Sequence, residues 1–449
     1  MNKSSTKTKA AEQEINPTEG GLANLDKQMN QALACLQYEK SLATSAYEYG
    51  AVQRYRGIQN AVDLLRIVLA YSTLDLSLRG LGIWCVLVEI ADISKTALLN
   101  RLRGCHLWLG YLVVRALKQR KVNFPTGTHL KIKLVDASVV SEPGSTGTDW
   151  RLHVGFDLLA ACLDWIQITT GKGAENLNRF AFGPGDLCIA DRAYAVLSNI
   201  LSVIAQQAWF IVRIGWRRQP GLRQAGGQVM DIIAWLKQDS LLAQGQPFET
   251  LVWLPNQATP LRLIARAIPE QEAEEARRRL RKEASKKGRT IDARSLVSAG
   301  FVMVLTNLPA TTYLALSVLG LYRFRWQIEL AFKRLKSLTG LDHLRAKDPR
   351  LALTYLYGKL LGAILLDCLV SKVRERCPDW FTSEHRPISL WRLSDLLWQQ
   401  IRLLVQGHIS LTMIFDALPR LQRFLCDEPR KRKSQFASAQ SILGSLVCA

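Results

Sequence analysis

The spacing of apolar residues between positions 129 and 215 most constrains the fold of this chain. Apolar and polar residues alternate in three short segments separated by turns: HLKIKLVDAS (129–138), DWRLHVGFDL (149–158) and WIQITT (165–170). Alternation with a period of two predicts half-buried strands. The short connections between these segments predict an antiparallel meander.

The pattern then changes to continuous apolar runs. DLCIADR (186–192) and WFIVRIG (209–215) have the composition of strands buried on both faces, and a helical segment (193–207) lies between them. A strand, a crossover helix and a second buried strand predict parallel pairing. Together with the meander, this predicts an α/β fold with a mixed sheet and helices on both faces.

The remaining segments divide the chain around this core. We predict helical regions at 25–122 and 349–425, and a strand-rich insertion at 216–308 that carries a hairpin (248–256 and 261–268), a charged helix (269–289) and a closing strand (301–308). The polar, basic tails at 1–24 and 426–449 are expected to be disordered. The core itself is expected at 123–215 and 309–348.

The net charge of the chain indicates what kind of partner it binds. The 59 Lys and Arg residues exceed the 38 Asp and Glu residues, which gives a net charge of +21. This surplus indicates a polyanionic partner, either nucleic acid or an acidic membrane surface. Lys359 and Asp367 interrupt the most apolar stretch (351–370), which therefore predicts a buried helix and not a membrane span. We expect no membrane partner.

Cysteine usage and the amino terminus predict the compartment. The nine cysteines include no C-x-x-C pair, and residues 1–21 are polar and lack the apolar core of a secretory signal. These features favour a reducing cytosol and no zinc site.

Two basic segments each leave two interpretations open. The segment DISKTALLNRLRGC (92–105) begins with the possible N-caps Asp92 and Ser94 and ends in arginines, so it suits either a DNA-reading helix-turn-helix or a helical bundle with a solvated basic face. Eight basic residues between Arg277 and Arg289 suit either a solvated helix or a contact to the DNA backbone.

A long helix is predicted at 312–338, and polar residues share one stripe of it. At about 100° per residue, a stripe about 80° wide contains Tyr322, Arg325, Glu329, Lys333 and Lys336, next to the apolar face. The simplest interpretation is a ladder of ion pairs at four-residue spacing. The alternative is a functional stripe that faces the body of the protein.

Two further carboxylates favour the functional interpretation. Asp136 and Asp191 each end a predicted apolar strand, although each alone also suits a turn or a cap. With Glu329 they offer three hard oxygen ligands, a set that suits Mg²⁺ or Mn²⁺. Two such ions can promote phosphodiester chemistry.

These residues carry a resemblance to a known family. The spacing Tyr322-x2-Arg325-x3-Glu329-x6-Lys336 is similar to the YREK signature of bacterial insertion-sequence transposases of the DDE type, which have a ribonuclease-H-like catalytic core. LVDAS around Asp136 and IADRAY around Asp191 resemble the two acidic blocks of that group.

The resemblance implies roles for individual residues. Asp136, Asp191 and Glu329 would be catalytic and would ligate two Mg²⁺ or Mn²⁺ ions, and Tyr322, Arg325 and Lys336 would hold the phosphates of the transposon end. The angular count adds Lys333 as a backbone contact, and Arg192, Arg151 and His153 lie near the acidic blocks in sequence, with His153 either directed toward the metals or structural. Trp253 is a candidate for holding a flipped base, or a core aromatic.

The resemblance also implies an activity, and it implies a protein of the bacterial cytoplasm that is associated with the nucleoid. Two copies would bind the inverted repeats, water would attack at the element's edge, and the freed 3′-OH would attack the opposite strand to give a hairpin before joining target DNA. Region 25–122 would bind DNA and region 349–425 would mediate dimerisation. The alternatives are a non-catalytic or domesticated DNA-binding protein and a structure-specific nuclease of the same fold.

Overall fold

A computed structural model describes residues 42–118, 130–383, 386–408 and 411–426. Its central feature is one eight-stranded sheet with the order β3-β2-β1-β4-β5-β8-β7-β6. The strands are β1 (Lys131–Val140), β2 (Trp150–Asp157), β3 (Cys162–Thr170), β4 (Asp186–Ala190), β5 (Trp209–Arg213), β6 (Phe248–Val252), β7 (Leu261–Ala267) and β8 (Phe301–Thr306).

Strand pairing confirms the two predicted halves of the core. The first three strands form an antiparallel meander, and β4 pairs in parallel with both β1 and β5. This mixed sheet, with helices on both of its faces, has the ribonuclease-H-like architecture expected from the sequence.

The insertion continues the core sheet instead of standing apart from it. The predicted hairpin forms as β6 and β7, and β8 pairs antiparallel with both β7 and β5. A helix from Ile232 to Ala243 was not predicted; Asp231 caps it by accepting from the backbone N–H groups of Ile233 and Ala234.

The helices are numbered in chain order. Before the sheet lie α1 (Leu42–Glu48), α2 (Ala61–Thr73), α3 (Leu78–Leu87), α4 (Lys95–Gly104) and α5 (His106–Lys118); within it lie α6 (Leu197–Ala205), α7 (Ile232–Ala243), α8 (Glu270–Lys286), α9 (Ala293–Ser298), α10 (Ala315–Tyr322) and α11 (Trp326–Thr339); after it lie α12 (Pro349–Arg376), α13 (Asp379–Thr382), α14 (Leu390–Gln406) and α15 (Leu411–Leu425).

The helices before and after the sheet form one bundle. Helix α12 packs against α2, α5 and α14. The α2–α12 contact is so close that a Cβ atom on Gly358 would lie 2.1 Å from Ser72 Oγ. Arg66 Nε also donates to the Val405 carbonyl over 2.9 Å. The two helical regions predicted as separate units therefore share a core.

Helix α12 confirms the prediction of a buried apolar helix at 351–370. It is long and apolar enough to cross a membrane by length and composition alone, but 72% of its most apolar window is buried within the protein. Lys359, one of the charges in this stretch, is only 3% exposed.

The long helix predicted at 312–338 begins later and is interrupted. Helix α10 starts at Ala315, and a 3₁₀ turn at Arg323–Arg325 separates it from α11. Arg325 keeps its four-residue relation to Glu329 across this turn, because the two side chains form an ion pair. Within α11, the side chains of Glu329, Lys333 and Lys336 lie on the same side of the helix, as the predicted stripe requires.

Some predictions concern residues that the structure does not describe, and the caps and cations predicted for 92–105 can be compared with helix α4. The tails predicted at 1–24 and 426–449 lie outside the described residues, except for Cys426, and so do Cys35 and Cys448. For helix α4, Ser94 and not Asp92 is the N-cap. Arg101 donates to the Arg54 carbonyl, and Arg103 pairs with Asp348 at 3.1 Å, so both cations contact the protein itself.

Candidate active site

Strand register brings Asp136 and Asp191 side by side. Val135 of β1 pairs with Ala190 of β4 in parallel, so the next position on each chain holds an aspartate. Asp136 lies within β1 and not at its end, because β1 continues to Val140 beside β2. Parallel pairing with β4 stops just before Asp136, which opens space beside its carboxylate.

The two aspartates lie on the sheet face that α11 covers. Asp136 is opposite Val154 and alternates in phase with Ile132 and Leu134, so these side chains share one face. Ile328 and Leu335 of α11 belong to the same apolar core as Leu134, and α11 contacts β1. The apolar side of α11 thus positions its first turn over the carboxylates.

Several acidic side chains lie close enough together at this site to influence one another's pKa values. Burial raises the pKa of Asp136 to about 7, with further increases from Asp191 and Glu175, while Arg325 opposes the shift. Glu175, in the loop after β3, also has a raised pKa, mainly from burial, and Arg151 opposes that shift. The buried Tyr194 lies among these carboxylates, and burial together with their charge raises its pKa.

Arg325 links the strand carboxylates to Glu329. Its guanidinium donates to Glu329 Oε1 one helical turn away, and the negative charges of Glu329 and Asp136 both raise its pKa. The Arg325 side chain is 19% exposed and that of Glu329 is 43% exposed. Glu329 therefore lies at the open side of the site, and its carboxylate is held by Arg325.

The donor set suits a hard divalent cation. Among the described residues, no three His, Cys, Asp or Glu side chains are arranged as a formed metal-binding cluster. The site does contain adjacent carboxylates of like charge, and the pKa of Asp136 is raised mainly by burial and further by the neighbouring charges of Asp191 and Glu175. Oxygen donors of this kind fit Mg²⁺ or Mn²⁺, whose charge would stabilise the ionised carboxylates.

A basic cleft opens beside this site. Its volume is about 1010 Å³, and it lies between the Tyr322–Trp326 segment and the ends of β5 and β7. Four arginines line it against one acid, Glu272: Arg213, Arg266, Arg323 and Arg325. Tyr322 and Trp326 add aromatic rings, and Trp326 is 47% exposed. The cleft combines positive charge with an accessible aromatic surface.

Comparison with known proteins decides what kind of site this is. Residues 128–366 match the family described as Transposase DDE domain, a segment that contains Asp136, Asp191 and Glu329. The chain belongs to the DDE transposase family. It is 38% identical over 348 residues to the putative transposase InsL for insertion sequence element IS186A of Escherichia coli (strain K12), covering 75% of this chain and 92% of that protein.

Other relatives agree with this assignment. The transposase for insertion sequence element IS421 of Escherichia coli is 38% identical over 349 residues, covering 75% of this chain and 92% of the relative. The transposase for IS231F of Bacillus thuringiensis subsp. israelensis is 24% identical over 358 residues, covering 73% and 74%. The resemblance seen in the YREK spacing is therefore confirmed at the level of the family.

Three further cations were predicted to contact DNA at the transposase site: Lys333, Lys336 and Arg192. Lys333 is exposed and its Nζ lies 6.0 Å from the centre of the Trp391 ring, while Lys336 is half-buried on the same side of α11 as Glu329. Arg192 is exposed, follows Asp191 directly and packs over Gly215. In the described part of the chain, none of these three cations forms an ion pair with Asp136, Asp191 or Glu329.

His153 and Arg151 face away from the aspartates. His153 pairs with Ala137 in the register, so it lies on the face of the sheet opposite Asp136. It is fully buried, its Nε2 lies 3.0 Å from Thr169 Oγ1, and burial lowers its pKa to about 4. Arg151 donates to the Gly173 carbonyl. This geometry fits the alternative of a structural histidine and not one directed toward the metals.

Trp253 lies at the other end of the sheet. It follows Val252, which pairs with Leu261 at the start of β7, whereas the cleft lies at the end of β7, near Ala267. The indole N–H of Trp253 donates to the Ala258 carbonyl over 3.1 Å. Trp326, by contrast, lines the basic cleft and is exposed.

The sequence did not predict Glu175 as a residue of the site. It lies in a loop whose position depends on the meander, and its only signal is a carboxylate shortly after a strand. Its charge influences the pKa of Asp136, and Asp191 raises its own pKa, so Glu175 belongs electrostatically to the site; it also pairs with Arg151 at 3.7 Å.

Proposed function

We propose that this transposase cuts DNA at the inverted-repeat ends of its element and joins the resulting 3′-OH ends to target DNA. The observation that carries the proposal is the parallel register at Val135 and Ala190, which sets Asp136 beside Asp191 beneath the first turn of α11. Glu329 in that turn is the third carboxylate.

Asp136, Asp191 and Glu329 would hold two Mg²⁺ or Mn²⁺ ions. The chemistry that such a pair supplies when bound is activation of the attacking oxygen and stabilisation of the leaving oxygen. The residues of the chain position the strand: Arg325 and Tyr322 lie at the boundary between the carboxylates and the basic cleft, and Lys336 and Lys333 extend positive charge along α11. Arg192 adds a cation at the end of β4.

The order of steps follows from the family resemblance. Water attacks the phosphodiester at the edge of the element, the freed 3′-OH attacks the opposite strand to form a hairpin, and the reopened end joins target DNA in a cut-and-paste reaction. Two ends must be held together, so we propose that two copies act on DNA. The helices before and after the sheet share one core, and we propose that this bundle contributes both end binding and dimer contacts.

The decisive experiment is cleavage of labelled DNA that carries the terminal repeat of the element. Asp136→Asn, Asp191→Asn and Glu329→Gln should each abolish cutting and leave end binding largely intact. Asp239→Asn on α7, which packs on the other face of the sheet, is the matched control and should cut normally. EDTA should stop cutting by the wild type, and Mg²⁺ or Mn²⁺ should restore it.

The same assay separates the alternatives. Cutting that persists in any of the three variants would contradict the proposed metal site. Binding without any cutting by the wild type would favour a non-catalytic DNA-binding protein. Cutting without strand joining would favour a structure-specific nuclease of the same fold.

A further inference from the structure

The basic residues of helix α8 and of the three positions that follow it fall into two sets of equal size. Of the eight cations between Arg277 and Arg289, four form ion pairs along the helix: Arg277 with Glu270 and Glu274, Arg279 with Glu275, Arg281 with Glu274, and Lys287 with Glu283. The other four have no carboxylate within ion-pair distance in the described part of the chain: Arg278, Lys282, Lys286 and Arg289.

The unpaired cations form a stripe on one side of the helix. Arg278, Lys282 and Lys286 follow one another at four-residue spacing, which places them about 6 Å apart along the axis. All three are exposed. We call this set, with Arg289 just after the helix, the α8 stripe.

The α8 stripe faces away from the protein. The buried residue of the helix is Ala273, and Leu280 on the same side is half-buried. At about 100° per residue, this side lies opposite the centre of the stripe. Arg277 fixes the orientation, because its Nε donates to the Leu296 carbonyl in the neighbouring helix α9. The unpaired charges are therefore presented to solvent by an oriented helix.

The helix begins at the rim of the basic cleft. Pro269 and Glu272 line the cleft together with Tyr322 and Arg325. From there, 17 residues extend α8 by about 25 Å. The stripe occupies the far half of this length, so it is a second positive surface, separated from the cleft by the acidic first half of the helix.

We propose that the α8 stripe binds the sugar-phosphate backbone of duplex DNA beyond the segment held at the active site. The inference rests on the proposed function for its substrate, and it assigns a further contact surface to the insertion. Charge complementarity favours DNA: the helix neutralises four of its cations internally and leaves a continuous row for an anionic partner. Cations that contact only the phosphates bind DNA independently of its sequence.

Two triple variants with the same change in charge test the proposal. The stripe variant is Arg278→Gln/Lys282→Gln/Lys286→Gln, and its matched control on the same helix is Arg279→Gln/Arg281→Gln/Lys287→Gln. Affinity for a duplex without terminal-repeat sequence is measured at several salt concentrations. Since each phosphate contact contributes about 0.9 to the slope of log affinity against log salt, the stripe variant should reduce the slope by between about 2 and 3.

The control variant should reduce the slope by less than about 1, because its cations are already paired. Equal slopes for the two variants, or a stripe variant that matches the wild type, would overturn the inference. A change in oligomeric state without a change in slope would also overturn it, because the partner would then be protein. End cleavage by the wild type tests the proposed function separately: an enzyme that cuts, with an unaltered slope in the stripe variant, would reject the stripe alone.

Discussion

Arg325 and Glu329 form an ion pair across the junction between the 3₁₀ turn and helix α11. The charge of Arg325 also opposes the raised pKa of Asp136. One guanidinium thus connects the carboxylate on the sheet with the carboxylate on the helix, and it does so at the edge of the basic cleft.

Replacing Arg325 should affect cleavage more than folding. Arg325→Met removes the cation that orients Glu329, and displacement of a reacting group by about 1 Å can cost about 100-fold in rate. Arg325→Lys keeps the charge but loses the planar fork, so its rate should be intermediate. Single-turnover cleavage of the terminal repeat measures both rates, and a wild-type rate for Arg325→Met would show that Arg325 neither positions Glu329 nor holds the strand.

Lys336 should act as a single phosphate contact. Lys336→Ala should weaken binding to the terminal repeat and lower the salt slope by about 1. Lys237→Ala on α7 is the control, because Lys237 is exposed on the other face of the sheet. Titrations at several salt concentrations measure the slope, and the same slope in both variants would count against a contact at Lys336.

Lys359 should make stability depend on pH. Burial lowers its pKa from 10.5 to about 8, although Nζ donates to the Thr339 carbonyl and lies 4.7 Å from the centre of the Tyr355 ring. The charged groups that influence it are Asp75, Arg345, Asp342 and Arg402. Below pH 8 Lys359 is protonated in both the folded and the unfolded protein, so the folded state bears the full free-energy cost of burying the charge. Between pH 8 and 10.5 the unfolded state binds more protons, so this contribution to stability rises with pH.

The difference between Lys359→Met and the wild type isolates that effect. Relative to the wild type, the variant should be most stable below pH 8, and this difference should shrink by up to about 3 kcal/mol as the pH rises toward 10.5. Urea denaturation at several pH values measures the free energy of unfolding. A difference that does not change with pH would contradict the lowered pKa.

Gly358 should be required for the close approach of α2 and α12. In Gly358→Ala the new methyl group would lie 2.1 Å from Ser72 Oγ and 3.2 Å from Val68 Cγ1, so the helices must shift. We expect a loss of about 1–3 kcal/mol in the free energy of unfolding. Gly82→Ala in α3 meets nothing within 4 Å and should be neutral or stabilising by helix propensity. Thermal melts of both variants decide whether packing or propensity governs the outcome.

The sequence predicted the core strands because three of them alternate apolar and polar residues and two are short continuous apolar runs. It did not predict that the insertion would extend the same sheet, since the β5–β8 pairing joins segments that no local pattern connects. Helix α7 was also missed, although Asp231 at its start is a usable N-cap signal. Local apolar patterns therefore predicted the strands, and tertiary contacts determined how far the sheet extends.

The candidate site was predictable in its residue types and less so in its geometry. Asp136, Asp191 and Glu329 follow from acidic positions and signature spacing, but the 3₁₀ turn before Trp326 was not predicted. Glu175 reaches the site through a loop, and loops carry no periodic signal. The face on which His153 lies required the register of β1 and β2.

The hydrogen bond from Arg66 to Val405 has a consequence for synthesis. Its partners are 339 residues apart in the sequence. At about 5–20 residues per second, a ribosome needs roughly 20–70 s to add the second partner after the first. During that interval the amino-terminal helices lack the segment that covers their apolar side, so nascent and prematurely terminated chains expose a surface that chaperones and proteases recognise.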